Sequence, residues 1–143
     1  MTSRQVGTFV STYISMHRDP VHVCELFGGQ AHTSTLRARL YDLKRGRNFE
    51  LQCGVDLLTE KGRHEMWDYI NVTRPTVIIM APPCRGFGPW SLLNEVIHPD
   101  AVAEARAQGI PLANLCAAVA KHQLDNNLHF VLETATSEHI VSD

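Results

Sequence analysis

The stretch RPTVIIMAPPCRGFGPW, Arg74 to Trp90, decides how the rest of the chain is read. Val77, Ile78, Ile79 and Met80 form an unbroken apolar run of strand length. A run without polar alternation suits a strand buried on both faces, as in a parallel sheet. Pro82 and Pro83 end it, because proline fixes φ and cannot donate to a ladder. Cys84 follows at once, and Arg85, Gly86, Phe87, Gly88 and Pro89 shape the loop behind it. A thiol is thereby predicted at the C-terminal edge of a central strand, the edge at which open α/β sheets bind ligands.

Upstream, Val21 to Phe27 (VHVCELF) reads as another strand, and it runs directly into Gly28-Gly29. Glycine there permits a tight turn and lets a ligand approach the backbone. Thr33 to Leu43 follows with Leu36, Leu40 and Leu43 at helical spacing, so strand, glycine turn and helix have the layout that opens a nucleotide-type α/β domain, with a purely structural turn at Gly28-Gly29 the equal alternative. Phe49 to Val55 is predicted as a strand ending at Asp56, which could equally be a carboxylate at a helix entry. Thr59 can cap a helix from Glu60 to about Val72, with Met66, Tyr69 and Ile70 toward the sheet. At the N-terminus, Val6, Phe9, Val10, Tyr13 and Ile14 describe an amphipathic helix ending before Pro20.

Downstream, Pro99 to about Asn126 is predicted helical in two pieces, interrupted by Gly109 and Pro111. Leu112, Leu115, Cys116, Val119 and Gln123 continue the second piece, so Cys116 reads as a small core residue. Leu128 to Leu132 is the last predicted strand and ends at Glu133. Right-handed crossovers would bring all of these strand ends to one side of the sheet. The expected organisation is a single domain over 1–143, with an N-terminal helix in 1–19, a core in 20–134 and a tail in 135–143.

Composition sets the outer bounds. With 143 residues, 44% hydrophobic and 20% charged, the chain has the makeup of an ordinary globular domain. A net charge of -2 gives no general attraction to polyanions. The densest basic cluster, Arg37, Arg39, Lys44, Arg45 and Arg47, reads first as the solvated face of a helix and its exit loop. Cys24, Cys53, Cys84 and Cys116 are far apart and lack zinc-site spacing, so no metal is expected. There is no signal-type leader, and no apolar run approaches the roughly 20 residues that span a bilayer. An intracellular location, cytoplasmic or nuclear, is therefore expected, with free thiols. Phe87 stands where a zinc deaminase would need the second cysteine of PCxxC, and neither a GxSxG elbow nor a phosphate-binding GxxxxGK[ST] loop occurs.

Four motifs together resemble the DNA cytosine-5 methyltransferases. Glu25-Leu26-Phe27-Gly28-Gly29 is similar to that family's first, cofactor-binding motif, and Ala81-Pro82-Pro83-Cys84 with Phe87 to its Pro-Pro-Cys nucleophile motif. Asp56 in GVDLL matches its adenine-contacting acid, and Glu133 falls where the family has Glu-Asn-Val. The resemblance runs from about Val21 to Thr134. It implies a Rossmann-like class I methyltransferase core, a three-layer αβα arrangement with a mostly parallel sheet and without the family's C-terminal strands. It also implies S-adenosylmethionine as cofactor, held by Glu25, Leu26, Phe27, Gly28, Gly29, Asp56 and Pro82. Cys84 would be the nucleophile toward C6 of cytosine and Glu133 the group at N3; Arg85, where the family usually has Gln, is one candidate for a cation that favours the thiolate. Nucleic acid, DNA before RNA, is the implied partner, with a partner chain supplying target recognition. Similar Glu-Leu-Phe-Gly-Gly and Ala-Pro-Pro-Cys segments occur inside mobile-element polyproteins, so the alternative is a fragment or non-catalytic module that keeps the fold.

Overall fold

A computed structural model describes residues 2, 21–29, 42–83, 86–88 and 91–133. The described residues form four strands, β1 (Val23–Leu26), β2 (Arg45–Phe49), β3 (Val77–Met80) and β4 (His129–Leu132), and three α-helices, α1 (Glu60–Thr73), α2 (Ser91–Ile97) and α3 (Pro99–Asp125). The sheet order is β2-β1-β3-β4 and every pairing is parallel, so the architecture is α/β. The chain leaves β1 in one direction to reach β2, then returns past it to β3. The direction of winding therefore reverses between β1 and β3, and ligands bind outside the strand ends at such a switch point.

The register sorts the side chains. Cys24 lies opposite Ile78, which lies opposite Phe130, while Leu26 lies opposite both Phe49 and Met80. Cys24, Leu26, Phe49, Ile78 and Met80 are fully buried on one face, where Met66 and Ile70 of α1 and Leu112, Leu115, Cys116 and Val119 of α3 complete the core. Each large side chain removed from water there contributes about 1.5–3 kcal/mol before entropy is counted. The rings of Trp67 and His122, 5.4 Å apart, join α1 to α3 above that face. Fully buried Gln123 donates to the carbonyls of Pro75 and His129 at 3.0 and 2.9 Å, fastening α3 to the beginnings of β3 and β4.

Three expectations need correction. The strand predicted over Phe49 to Val55 lies earlier, at Arg45–Phe49; Leu51–Cys53 is instead a 3-10 turn closed by Gly54 at φ 82. Its sequence, RGRNF, is polar because β2 is an edge among the described residues and buries only Phe49. Arg45 and Arg47 therefore lie in an edge strand and not in a loop, and Lys44 directly precedes it. Pro99–Asp125 is one continuous helix with Pro111 inside it, where two pieces were expected.

α1 begins on Thr59, whose hydroxyl accepts from Gly62 N at 3.0 Å, and ends at Arg74 in the left-handed region at φ 45. The helix expected in 1–19 and residues 33–41 of the one expected over Thr33 to Leu43, with Arg37 and Arg39, lie outside the described residues, as do Cys84, Arg85 and the tail; Asp42, at φ 53, and Leu43 are described and are not helical. Among the described residues no helix is long and apolar enough to cross a membrane.

Candidate functional site

The four strands end at one level. Beyond the last ladder residues, Phe27 N donates to Phe49 O at 3.0 Å, Ala81 N to Leu26 O at 3.1 Å and Glu133 N to Met80 O at 2.9 Å. The segments that begin at Phe27, Glu50, Ala81 and Glu133 therefore leave the sheet side by side.

Behind β1 the chain turns through Phe27 at φ 59 and Gly29 at φ 55. A bulky residue rarely holds positive φ, and such strain gathers at ligand-binding turns. Asn48 of β2 and Glu50 directly after it lock the bend. Asn48 Oδ1 accepts from Gly28 N at 3.2 Å while its Nδ2 donates to Gly29 O at 2.9 Å. Glu50 Oε2 accepts from Gly29 N at 3.3 Å, and Oε1 accepts from Leu51 N at 3.0 Å. Glu25 is only 2% exposed beneath the turn, and a Cβ on Gly28 would come within 2.7 Å of its Oε2.

Phe27, Glu50, Asp56, Leu57, Pro83 and Leu112 line a cleft of about 180 Å³ beside this turn. It is mainly apolar, with two carboxylates at its margin. Asp56 also serves the chain locally: Oδ1 accepts from Leu58 N at 2.9 Å, and its carbonyl accepts from the Thr59 hydroxyl at 2.7 Å. Leu26 is fully buried among core residues, so it can reach a ligand only through its backbone. Pro82 is half-buried, while the neighbouring Pro83 is the proline that lines the cleft. Glu133 is exposed at the end of β4. Cys84 and Arg85 fall outside the described residues, but the flanking Ala81–Pro83 and Gly86–Gly88 are described.

The described thiols divide by environment. Burial, reinforced by the Glu25 carboxylate and opposed by Arg47, pushes Cys24 up to about 12; burial pushes Cys116 up to about 11. Both are protonated core residues near neutral pH and poor nucleophiles. Cys53 is exposed on the 3-10 turn. Among the described residues no group of His, Cys, Asp and Glu could hold a metal ion.

Sequence reading missed Asn48, Glu50 and Pro83 as site residues. A carboxylate directly after a strand's last apolar residue was the available signal for Glu50, and the misplaced end of β2 concealed it. In comparisons with protein-family models, curated proteins and solved structures, none matched the chain.

Proposed function

We propose that this domain is an S-adenosylmethionine-dependent methyltransferase-like unit with a Rossmann-like class I core, related to cytosine-C5 methylation of DNA through Cys84. The observation that carries the reading is the common level of the four strand ends, from which the glycine turn, Glu50, the Ala81–Pro83 segment that precedes Cys84 in the sequence, and Glu133 all start.

The residues beside the cleft fit the cofactor's nucleoside end. Phe27, Leu57 and Leu112 offer apolar surface to an adenine ring, and Asp56 a carboxylate at its edge. Glu50 stands 21 residues after Gly29, close to the roughly 20-residue interval at which nucleotide-type folds carry a ribose-binding acid. The cleft's 180 Å³ is below the roughly 300–1,000 Å³ that encloses a whole drug-sized ligand, so the methionine end would extend over the glycine turn.

Cys84, as a thiolate, adds to C6 of the base while Glu133 donates to N3, which makes the C5 carbon nucleophilic. Bound S-adenosylmethionine would supply the methyl group that C5 takes up. Loss of the C5 proton to solvent and departure of the Cys84 sulfur then restore the ring's double bond. In duplex DNA the base must first leave the stack. A second reading, a non-catalytic module of the same fold, is favoured by one observation: the Gly28 and Gly29 amides already donate to Asn48 and Glu50.

Two measurements separate these readings. Calorimetry should show S-adenosylmethionine binding that weakens about tenfold or more in Asp56→Ala, as loss of a charged hydrogen-bond partner predicts. No detectable binding would remove the methyltransferase reading. The full chain should also form a covalent adduct with 5-fluorocytosine DNA that Cys84→Ser abolishes. Cofactor binding without an adduct would leave the module.

A further inference from the structure

A groove of about 730 Å³ lies against the edge strand β2, lined by Arg45, Arg47, Gln52, Cys53 and Tyr69 and by Gly29 of the turn behind β1. Its volume falls in the roughly 300–1,000 Å³ range of small-ligand sites, and it shares no described lining residue with the cofactor cleft. The chain as a whole carries a net charge of -2, yet no Asp or Glu is among the described residues that line this groove. Arg45 and Arg47 are two positions apart on one strand, so their side chains leave the same face about 7 Å apart. Nothing stands within 4 Å of where a Gly29 Cβ would lie, which keeps that wall of the groove open.

Arg47 is set in place before any ligand arrives. Its Nη2 binds Glu65 Oε1 at 2.6 Å, and its guanidinium lies 4.6 Å from the Phe49 ring centre and 5.7 Å from that of Tyr69. Its backbone N donates to the Tyr69 hydroxyl at 2.9 Å, which fixes the strand beneath it. Among the described residues Nε and Nη1 make no hydrogen bond, so part of the fork remains for a second acceptor. Glu65 orients Arg47 and offsets its charge, while Arg45 brings a second guanidinium to the same groove. A planar, permanently charged fork matches the oxygens of a phosphate in a way that a lysine ammonium cannot.

We propose that this groove is a phosphate-binding site, with Arg47 and Arg45 gripping a phosphate group that belongs either to a small anion or to the backbone of a nucleic acid strand. The site does not rest on the methyl-transfer reading: it uses neither the cofactor cleft nor Cys84, and a non-catalytic module would keep it. Cys53, exposed in the groove wall with its Sγ 3.9 Å from Asn48 Nδ2, serves as a local reporter of occupancy.

The full chain without cofactor is titrated by calorimetry with inorganic pyrophosphate and, separately, with a short single-stranded oligothymidylate, which holds no cytosine. Alkylation of Cys53 by iodoacetamide is followed by mass spectrometry in the same samples. At least one probe is expected to bind and to slow Cys53 alkylation severalfold. Arg47→Gln and Arg45→Gln should each weaken that binding about tenfold or more, the scale of a lost charge-assisted contact. Lys61→Gln removes the same charge from an exposed position on α1 outside the groove's lining, and should change binding by no more than about twofold. Binding of pyrophosphate alone makes a small anion the source. Oligothymidylate binding whose logarithm falls with log salt at a slope of about -1.4, reduced by about 0.7 for each arginine removed, makes it a strand's backbone. Because Arg47 also bonds Glu65, Arg45→Gln carries the test if Arg47→Gln fails to fold. The proposal is overturned if neither probe binds, if the folded arginine variants bind as the unmodified chain does, or if Lys61→Gln weakens binding equally. Poly-glutamate that displaces the probe at equal charge concentration would overturn it as well, because the groove would then not distinguish phosphate from carboxylate.

Discussion

Gly28 and Gly29 are neighbours, yet they are glycine for different reasons. A Cβ on Gly28 would lie 2.7 Å from Glu25 Oε2 and 3.0 Å from both Asn48 Oδ1 and Glu25 Cβ. Glu25 is 2% exposed and has no room to retreat, so Gly28→Ala should cost about 1–3 kcal/mol, as overpacking does. Gly29 has nothing within 4 Å of such an atom, but its φ of 55 lies in the left-handed region. Gly29→Ala should therefore cost about 1 kcal/mol. Urea unfolding of the two variants checks the order, and a Gly29→Ala loss exceeding that of Gly28→Ala would contradict it. Substitutions at Gly28 disturb the turn whether or not a ligand is present, which makes Asp56→Ala the cleaner probe of cofactor binding. The glycine pair was legible as a bend because two glycines follow an apolar run. Its lock was not, because Asn48 and Glu50 are about twenty residues away and only the β1–β2 register brings them back.

At the level of elements, β1, β3 and β4 were readable because a strand between neighbours, or over a core, carries an apolar run. β2 was displaced in the reading because Arg45, Gly46, Arg47 and Asn48 follow no apolar pattern, and Phe49 alone marks the side that meets the core. α3 was misread for the opposite reason. Proline inside a helix removes one hydrogen bond and crowds the preceding turn, so a break at Gly109 and Pro111 was the local expectation. The buried series Val102, Gly109, Leu112, Leu115, Cys116, Val119 and Gln123 overrides it, running along a single helix whose Leu112, Leu115, Cys116 and Val119 enter the core. Pro111 itself is exposed, and replacing it removes no core packing. Pro111→Ala should consequently stabilise the domain, by up to about 3 kcal/mol, the difference between the two residues in a helix interior. Thermal melting with circular dichroism at 222 nm measures it. A destabilised variant would mean that the chain turns at this point, as the sequence alone suggests.

Across the whole molecule, the two sides of the sheet are finished differently. On one side β2 presents Arg45 and Arg47, preceded by Lys44, and charged side chains of this kind discourage another strand from pairing. Arg47 also bonds Glu65 of α1 at 2.6 Å and stacks 4.6 Å from the Phe49 ring centre, which packs that edge against its own domain. On the other side β4 pairs only with β3 among the described residues. Its residues His129, Phe130, Val131 and Leu132 include no Lys, Arg, Asp or Glu, and Val131 and Leu132 are 52% and 40% exposed. An uncharged apolar edge is a template for association, so the isolated domain should self-associate with rising concentration. Val131→Lys places a charge on the edge without emptying the core. It should shift the onset of light scattering to higher protein concentration while changing unfolding stability by no more than about 0.5 kcal/mol, the usual range for a surface site. A loss of several kcal/mol would instead mean that Val131 is covered in solution, and an unchanged scattering onset would exonerate the β4 edge. Lys44→Ala on the opposite edge provides the contrast: removing a guarding charge there should leave β4 as the dominant contact and lower the onset only slightly.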